Sequence, residues 1–174
     1  FWAAQAIKIG TSFYKEDHIP TAKKILIEAE TRNCEIVFPI DVVVTTAITP
    51  NCETKTVSVD KIGNLQKIAD IGPKSVSRIN YFMDQCQTLV WNGPVGVFEI
   101  DPFAEGSLAL AQHGATLTKA SKLISVAGGG DTLAALKKAA VGDAFTYTST
   151  AGGAFLEWLE GTPLPGIVAL QKHR

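Results

Sequence analysis

The chain has 174 residues, of which 46% are hydrophobic and 19% charged, and its formal net charge is −1. This is an ordinary composition for a soluble globular protein, and the length suffices for one core without disulfide or metal staples. The near-neutral charge argues against nucleic acid or an anionic membrane as a partner. No apolar run approaches the ~20 residues that a membrane span needs.

Three widely spaced cysteines form no metal-binding or disulfide motif, since no C-x-x-C pair and no Cys/His cluster is present. They are Cys34, Cys52 and Cys86. We expect buried free thiols in a reducing compartment.

The first ten residues, FWAAQAIKIG, carry apolar side chains at helical spacing, and Gly10 is suited to end a helix. No capping residue precedes Phe1. The pattern therefore predicts that residues 1–174 are part of a longer protein.

Helical and strand-like segments alternate along the next part of the chain. Asp17 and Pro20 can open a helix with an apolar face, and Asn33 can end it. The run EIVFPIDVVVTT is strand-like, with a bend expected at Pro39 because proline cannot donate to a sheet. The polar stretch 46–64 contains TKTVSVD, which predicts a small excursion at a sheet edge.

From Pro73 onward the alternation is regular, because a helix that opens at this proline is followed by three strand–helix units. The predicted strands are TLVWNG, KLISVAGGG and FTYTST, and the helices that follow them are PFAEGSLALAQH, DTLAALKKAA and GGAFLEWLEG. This alternation predicts an α/β domain with a mostly parallel sheet and helices on both faces. In such folds ligands bind at the carboxyl ends of the strands.

One of the three glycine-bearing strand ends, AGGGDT, has the features of an anion-binding site. It lacks the lysine of a Walker A loop and the spacing of a dinucleotide fingerprint. However, bare backbone N–H groups at a helix N-terminus can approach an oxyanion closely. Asp131 can either cap the helix that follows or hold Mg²⁺ together with phosphate oxygens, and the pattern leaves both open.

The other two strand ends, TSTAGG and WNGPVG, offer similar alternatives. Ser149 and Thr150 can cap the helix that follows them, or the amides beside them can bind an anion. Asn92 precedes a rigid Gly-Pro turn, and Trp91 is expected to belong to the core. Glu99 is either a solvated surface residue or, beside a nucleotide, an acceptor for ribose hydroxyls.

Four segments, in this order and spacing, resemble the phosphoglycerate kinase family. They are WNGPVGVFE (91–99), GGGDT (128–132), STAGGAFLEWLEG (149–161) and LPGIVAL (164–170). The likeness extends to FWAAQAIKIG, to VFPIDVVV and to DIGPKS (70–75), and so covers essentially the whole chain. WNGPVGVFE is the most specific of these motifs.

The resemblance implies two Rossmann-like, three-layer α/β domains joined by a hinge. Residues 1–174 resemble the carboxyl-terminal, nucleotide-binding domain without its opening strands, whereas the amino-terminal domain would bind 3-phosphoglycerate or 1,3-bisphosphoglycerate. It further implies a monomeric, cytoplasmic enzyme of glycolysis that uses ADP or ATP with Mg²⁺. The family's catalytic lysine and substrate arginines would lie upstream of Phe1. We therefore expect the isolated chain to be inactive, and a nucleotide-binding module is the alternative.

The resemblance also assigns residues. It implies that Glu99 contacts the ribose, and that Asn92, Gly93, Pro94 and Val97 line the nucleotide site. The phosphates and the magnesium ion would be held by Gly128, Gly129, Gly130, Asp131 and Thr132, with Asp131 as the metal ligand. The groups nearest the transferred phosphoryl group would be those of Gly129, Gly130, Thr150, Ala151, Gly152 and Gly153.

Two departures from the family pattern bear on this assignment. Ala151 stands where the family usually has a glycine, but it still carries a backbone N–H. Ile68 and Ala69 stand where the family often has Gly-Leu, before the aspartate of its D-x-G-P motif. This second change alters the expected wall of the adenine site.

Overall fold

The computed structural model describes residues 1–171. Their contacts divide them into two compact units. The first unit comprises Phe1–Phe82 and Val95–Leu110, and the second comprises Met83–Pro94 and the chain from Ala111 on. None of the helices in the described part of the chain is both long enough and apolar enough to cross a membrane.

The first unit contains a three-stranded antiparallel sheet in the order β2-β1-β3. Its strands are β1 (Asp41–Thr45), β2 (Lys55–Ser58) and β3 (Lys67–Ile71). β2 is the edge strand predicted from TKTVSVD. Val42 and Val44 of β1 are buried and form a small core with Ile62, as expected for β-branched residues at period two.

Two helical segments of the first unit differ in part from the sequence prediction. α1 spans Ile19–Thr31, and the left-handed Asn33 (φ 53°) follows its end as predicted. Its apolar face is only partly covered, since Ile25 is exposed. The helix predicted in FWAAQAIKIG is wrong beyond one 3₁₀ turn at Ala3–Gln5, because Ala6 turns left-handed and ends it.

α2 (Pro73–Met83) begins at the predicted proline, but its cap lies in another element. The Asp41 carboxylate accepts the N–H groups of Ser75 (2.7 Å) and Lys74 (3.1 Å). These bonds satisfy amides that have no partner within the helix. Burial opposes the charge on Asp41, but the bonds from Ser75 and Lys74 outweigh it and hold its pKa below the ordinary value.

The second unit contains a parallel sheet in the order β4-β5-β6. Its strands are β4 (Thr88–Asn92), β5 (Ile124–Gly128) and β6 (Tyr147–Ser149). All three were predicted, and the α/β class is confirmed. The remaining helices are α3 (Glu105–Lys119), α4 (Gly130–Lys138), α5 (Gly152–Leu159) and α6 (Pro165–Gln171).

The core of the second unit gathers around β5 and α4. Ala127 and Leu136 are fully buried, and the rings of Trp91 and Phe145 pack with centroids 6.1 Å apart. Trp91 is thus a core residue, as predicted. Its indole N–H donates to the carbonyl of Gly93 at 2.6 Å, which links the core to the turn after β4.

The prediction that the cysteines are buried is wrong. Cys34 and Cys86 are exposed, and Cys52 is half-buried. All three are free thiols. Cys34 follows the end of α1, and Cys86 lies beyond the last turn of α2, where the helical spacing used for the prediction no longer applies.

Candidate functional site

The three glycine-bearing strand ends lie side by side in the second unit. Asn92 at the end of β4 pairs with Gly128 of β5, and Gly128 pairs with Ser149 of β6. The loops predicted to bind phosphate therefore leave adjacent strands at the same edge of the sheet. Parallel α/β sheets bind ligands at this edge.

The loop after β5 turns sharply at Gly129, whose φ of 98° lies in the region that side-chain-bearing residues avoid. Its N–H donates to the carbonyl of Ser149 (3.0 Å), which joins the loop to the end of β6. The first helical hydrogen bond of α4 runs from Leu133 N–H to Gly129 O (3.0 Å). The amides of 130–132 therefore lie in the first turn, where helix geometry leaves them without a partner in the helix.

The loops after β5 and β6 touch through their backbones. A Cβ added to Gly152 would lie 2.6 Å from the Cα of Gly129 and 3.0 Å from its nitrogen. Gly128 is similarly close to Phe155, since a Cβ added to this glycine would lie 3.0 Å from the ring. Only glycine at position 152 permits this approach, so the two loops form one surface.

Asp131 is exposed and lies in the first turn of α4. The N-cap position belongs to Gly129, and no side chain caps this helix. Asp131 therefore does not cap α4, which was one of the two roles that the pattern left open. No group of three or more potential metal-ligating side chains occurs within residues 1–171. A single exposed carboxylate still fits Mg²⁺, which takes one or two carboxylates together with phosphate oxygens.

Thr132 is buried, and its hydroxyl is already engaged. Its Oγ1 accepts the N–H of Gly93 at 2.7 Å, and Gly93 adopts a φ of 87° in the turn after β4. Thr132 thus fixes the position of the turn that carries the exposed Asn92 and the half-buried Pro94. The sequence pattern did not reveal this contact, because its partners lie 39 residues apart.

The second helix N-terminus is that of α5. Its first helical bond joins Phe155 N–H to Ala151 O at 3.0 Å, so the amides of 152–154 lie in the open first turn. No side chain caps α5. Ser149 instead accepts the N–H of Ala151 through Oγ (3.2 Å). The Ala151 N–H that was expected to serve an anion is therefore used locally, and Thr150 is exposed.

The other predicted nucleotide contacts, Val97 and Glu99, belong to the first unit. Val97 N–H donates to the carbonyl of Ala69 at 2.9 Å, and Glu99 is exposed. Val97 lines a pocket of about 490 Å³, with Ala69 and Ile68 in its wall. Phe13, which is 88% exposed, also lines it. The resemblance predicted Val97, Ile68 and Ala69 at the nucleotide site, whereas Phe13 was not among the predicted residues.

The lining of this pocket includes a buried carboxylate that was not predicted as a site residue. Asp70 is only 1% exposed, and it accepts the N–H groups of Ile71 and Gly106, each at 2.8 Å. Burial raises its pKa to about 6, against the effect of these hydrogen bonds, and the charge of Glu105 raises it further.

A larger pocket, of about 690 Å³, lies in the second unit beside the end of α4. Its lining includes Lys119 and Lys137. None of the residues predicted for the site lines it, although its lining includes Thr148, the first residue of TSTAGG.

The described residues thus define an α/β protein in which glycine-rich loops and two open helix N-termini meet at the ends of parallel strands. A sequence model of the family described as phosphoglycerate kinase matches residues 1–162. The chain belongs to the phosphoglycerate kinase family, as its motifs predicted.

Individual relatives support this membership. The phosphoglycerate kinase of Rhodopseudomonas palustris is 52% identical over 171 residues, which are 98% of this chain and 43% of that protein. The structure of phosphoglycerate kinase from Coxiella burnetii matches with a TM-score of 0.90 at 39% identity, over 99% of this chain and 43% of that one. The structure of phosphoglycerate kinase from Pyrococcus horikoshii matches with a TM-score of 0.71 at 27% identity, over 98% of this chain and 42% of that one. The chain therefore spans less than half the length of the relatives it matches.

Proposed function

We propose that this chain supplies much of the Mg-nucleotide site of a phosphotransferase. The reaction moves a phosphoryl group from 1,3-bisphosphoglycerate to ADP, or from ATP to 3-phosphoglycerate in reverse. Membership of the phosphoglycerate kinase family supports a glycolytic kinase. The observation that carries the proposal is the backbone contact of Gly129 with Gly152, which brings two open helix N-termini together.

The phosphates are assigned to the second unit. The amides of 130–132 and 152–154 lie in the first turns of α4 and α5, where N–H groups and the helix dipole favour a bound anion. Glycine at 129, 130, 152 and 153 keeps side chains away from these amides. Phosphate oxygens would accept their hydrogen bonds, in the role that the resemblance gives to both loops.

The metal is assigned to Asp131. Its carboxylate is exposed, makes no cap, and stands in the same helical turn as the proposed phosphate amides. Mg²⁺ bound there would supply positive charge that offsets the negative charge of the phosphates. Thr132 would support this turn through its bond to Gly93, rather than through a ligand atom of its own.

The adenosine is assigned to the first unit. Its pocket of about 490 Å³ is within the usual range for small-molecule sites, and apolar side chains form most of its lining. The wall formed by Ala69 and Val97 would contact the base, and the exposed ring of Phe13 offers a stacking surface. Glu99 would accept hydrogen bonds from the ribose hydroxyls.

Phosphoryl transfer asks little covalent chemistry of a protein, so positioning and electrostatic stabilisation account for most of the catalysis. The described residues can do both: they orient the nucleotide and offer donors to its terminal phosphate. Because the chain spans 43% of its relatives' length, a nucleotide-binding module without turnover of its own is the second candidate. Binding of Mg·ADP without any turnover by the isolated chain would favour it.

The metal assignment is tested with Asp131→Asn. We expect the affinity for Mg·ADP to fall at least about tenfold, while the affinity for metal-free ADP changes little, because only the metal complex uses the carboxylate. Calorimetric titration of both ligands measures this. Asp143→Asn is the matched control, since Asp143 is also exposed in the second unit but lies outside the proposed site. Equal losses for both ligands would contradict the metal role, and no binding by the unchanged chain would contradict the proposed function.

A further inference from the structure

We infer that Asp70 is a positioning residue for adenosine binding: its buried carboxylate fixes the 95–97 segment of the pocket against the start of α3. The inference rests on the proposed function, because it takes the pocket of the first unit as the adenosine site. All the groups involved belong to that unit.

Asp70 joins two elements that are distant in the sequence. It lies in β3, and its Oδ2 accepts the N–H of Gly106 at 2.8 Å, in the first turn of α3. Its Oδ1 accepts its neighbour Ile71 N–H, also at 2.8 Å. Both carboxylate oxygens are thus used, and the start of α3 is tied to the strand that forms the pocket wall.

Two glycines enclose this carboxylate. A Cβ added to Gly96 would clash both with Asp70 Oδ1 and with the carbonyl of Phe103. A Cβ on Gly106 would lie 2.5 Å from the same Oδ1. The segment around Gly96 therefore rests directly on the carboxylate, with no room for a side chain between them.

The residues on either side of Gly96 are held by the same two elements. Val97 N–H donates to Ala69 O in β3 (2.9 Å), and Val95 N–H donates to Ser107 Oγ in α3 (3.0 Å). Ser107 is fully buried. Asp70 therefore occupies the centre of a junction between β3, the 95–97 segment and α3, and we call this the β3–α3 junction.

The junction determines the shape of the adenosine pocket. Val95, Gly96 and Val97 all line it, together with Ala69 and Asp70. A shift of the 95–97 segment would move this part of the lining, and it would also move Glu99, two residues further along. A carboxylate this deeply buried is costly to ionise. The need to hold the 95–97 segment in place would explain why this position carries a buried aspartate.

The inference is tested with two ligands, one for each unit. Adenosine probes the pocket of the first unit, and Mg-tripolyphosphate probes the phosphate loops of the second. We expect Asp70→Asn to weaken adenosine binding by about tenfold. Asparagine replaces one acceptor oxygen with an NH2 donor, and this donor would face a buried N–H that needs an acceptor. The affinity for Mg-tripolyphosphate should stay unchanged. Asp17→Asn, on the exposed surface of the same unit, is the control.

Ser107→Ala provides a second variant that leaves Asp70 intact. It removes the acceptor of Val95 N–H, and we expect a loss of about threefold to tenfold in adenosine affinity only. Ser77→Ala is its matched control, because Ser77 bonds only within its own helical turn. Both test variants are compared with the wild type by urea unfolding, to confirm that they are folded at the temperature of titration.

The outcomes separate this inference from the proposed function. Selective loss of adenosine affinity in both variants supports the positioning role. Unchanged adenosine affinity in the folded variants, or equal losses for both ligands, would overturn it while leaving the proposed function standing. Failure of the wild-type chain to bind adenosine or Mg·ADP would overturn the proposed function, and this inference with it.

Discussion

At the scale of single residues, two aspartates show which roles the sequence could reveal. The resemblance carried by GGGDT predicts Asp131 as a metal ligand, and the structure adds that Asp131 does not cap its helix. Asp70, which we propose as a positioning residue, was not singled out in the sequence, since its partner Gly106 lies 36 residues away. A local pattern cannot contain such a pair, so its role becomes visible only once β3 and α3 are placed.

The raised pKa of Asp70 predicts a specific dependence of stability on pH. Its folded-state pKa of about 6 exceeds the value of 3.8 expected when exposed. The stability it contributes is therefore complete below about pH 4 and is lost as the pH rises through 6. This loss amounts to about 3 kcal/mol. Glu105 is the charged neighbour that adds to the shift.

Asp70→Asn removes this titration. We expect the free energy of unfolding of the variant, relative to the wild type, to rise by about 3 kcal/mol between pH 4 and pH 7. Urea unfolding at several pH values measures the difference. A difference between the two proteins that does not vary with pH would show that Asp70 titrates as it does in the unfolded chain.

At the scale of elements, the three strand–helix pairs from β4 to α5 were predicted because their periodicity and glycines are local signals. The cap of α2 was not predicted, because Asp41 and Ser75 are 34 residues apart. β3 was missed because KIADI is a short run between polar and glycine-containing segments, which periodicity alone does not classify. α6 was likewise not predicted, since LPGIVAL is too short to show a helical face.

The contact between the phosphate loops predicts different effects for two adjacent glycines. In Gly152→Ala the new methyl would meet the backbone of Gly129, which cannot move aside without separating the loops. We expect a loss of about 1–3 kcal/mol in stability, and weaker binding of Mg-tripolyphosphate. In Gly153→Ala the new methyl would have no neighbouring atom within 4 Å. Alanine also stabilises a helix by up to about 1 kcal/mol relative to glycine.

Urea unfolding of the two variants checks this prediction. Gly153→Ala should be at least as stable as the wild type, and Gly152→Ala clearly less stable. Equal stability of the two variants would mean that the loops do not require the close approach of Gly129 and Gly152.

At the scale of the whole molecule, the α/β class followed from the alternation of segments, and the family followed from four motifs. The pairing of the strands could not be predicted from the sequence in the same way. β1 pairs antiparallel on both sides, and no local feature of DVVVT distinguishes this from the parallel pairing of β4 and β5. Likewise, the division of the described residues into two units depends on contacts between distant segments. It places Glu99 in the first unit and Asp131 in the second.

The central claim is that backbone amides of the second unit bind nucleotide phosphates. Amide NMR spectra of the isotope-labelled chain, titrated with Mg·ADP and separately with adenosine, test it most directly. We predict that Mg·ADP shifts the amide signals of Gly130, Asp131, Gly152 and Gly153, and that adenosine shifts those of Val97 and Glu99 but not these four. Saturable binding of Mg·ADP without shifts at residues 130–131 and 152–153 would contradict the claim.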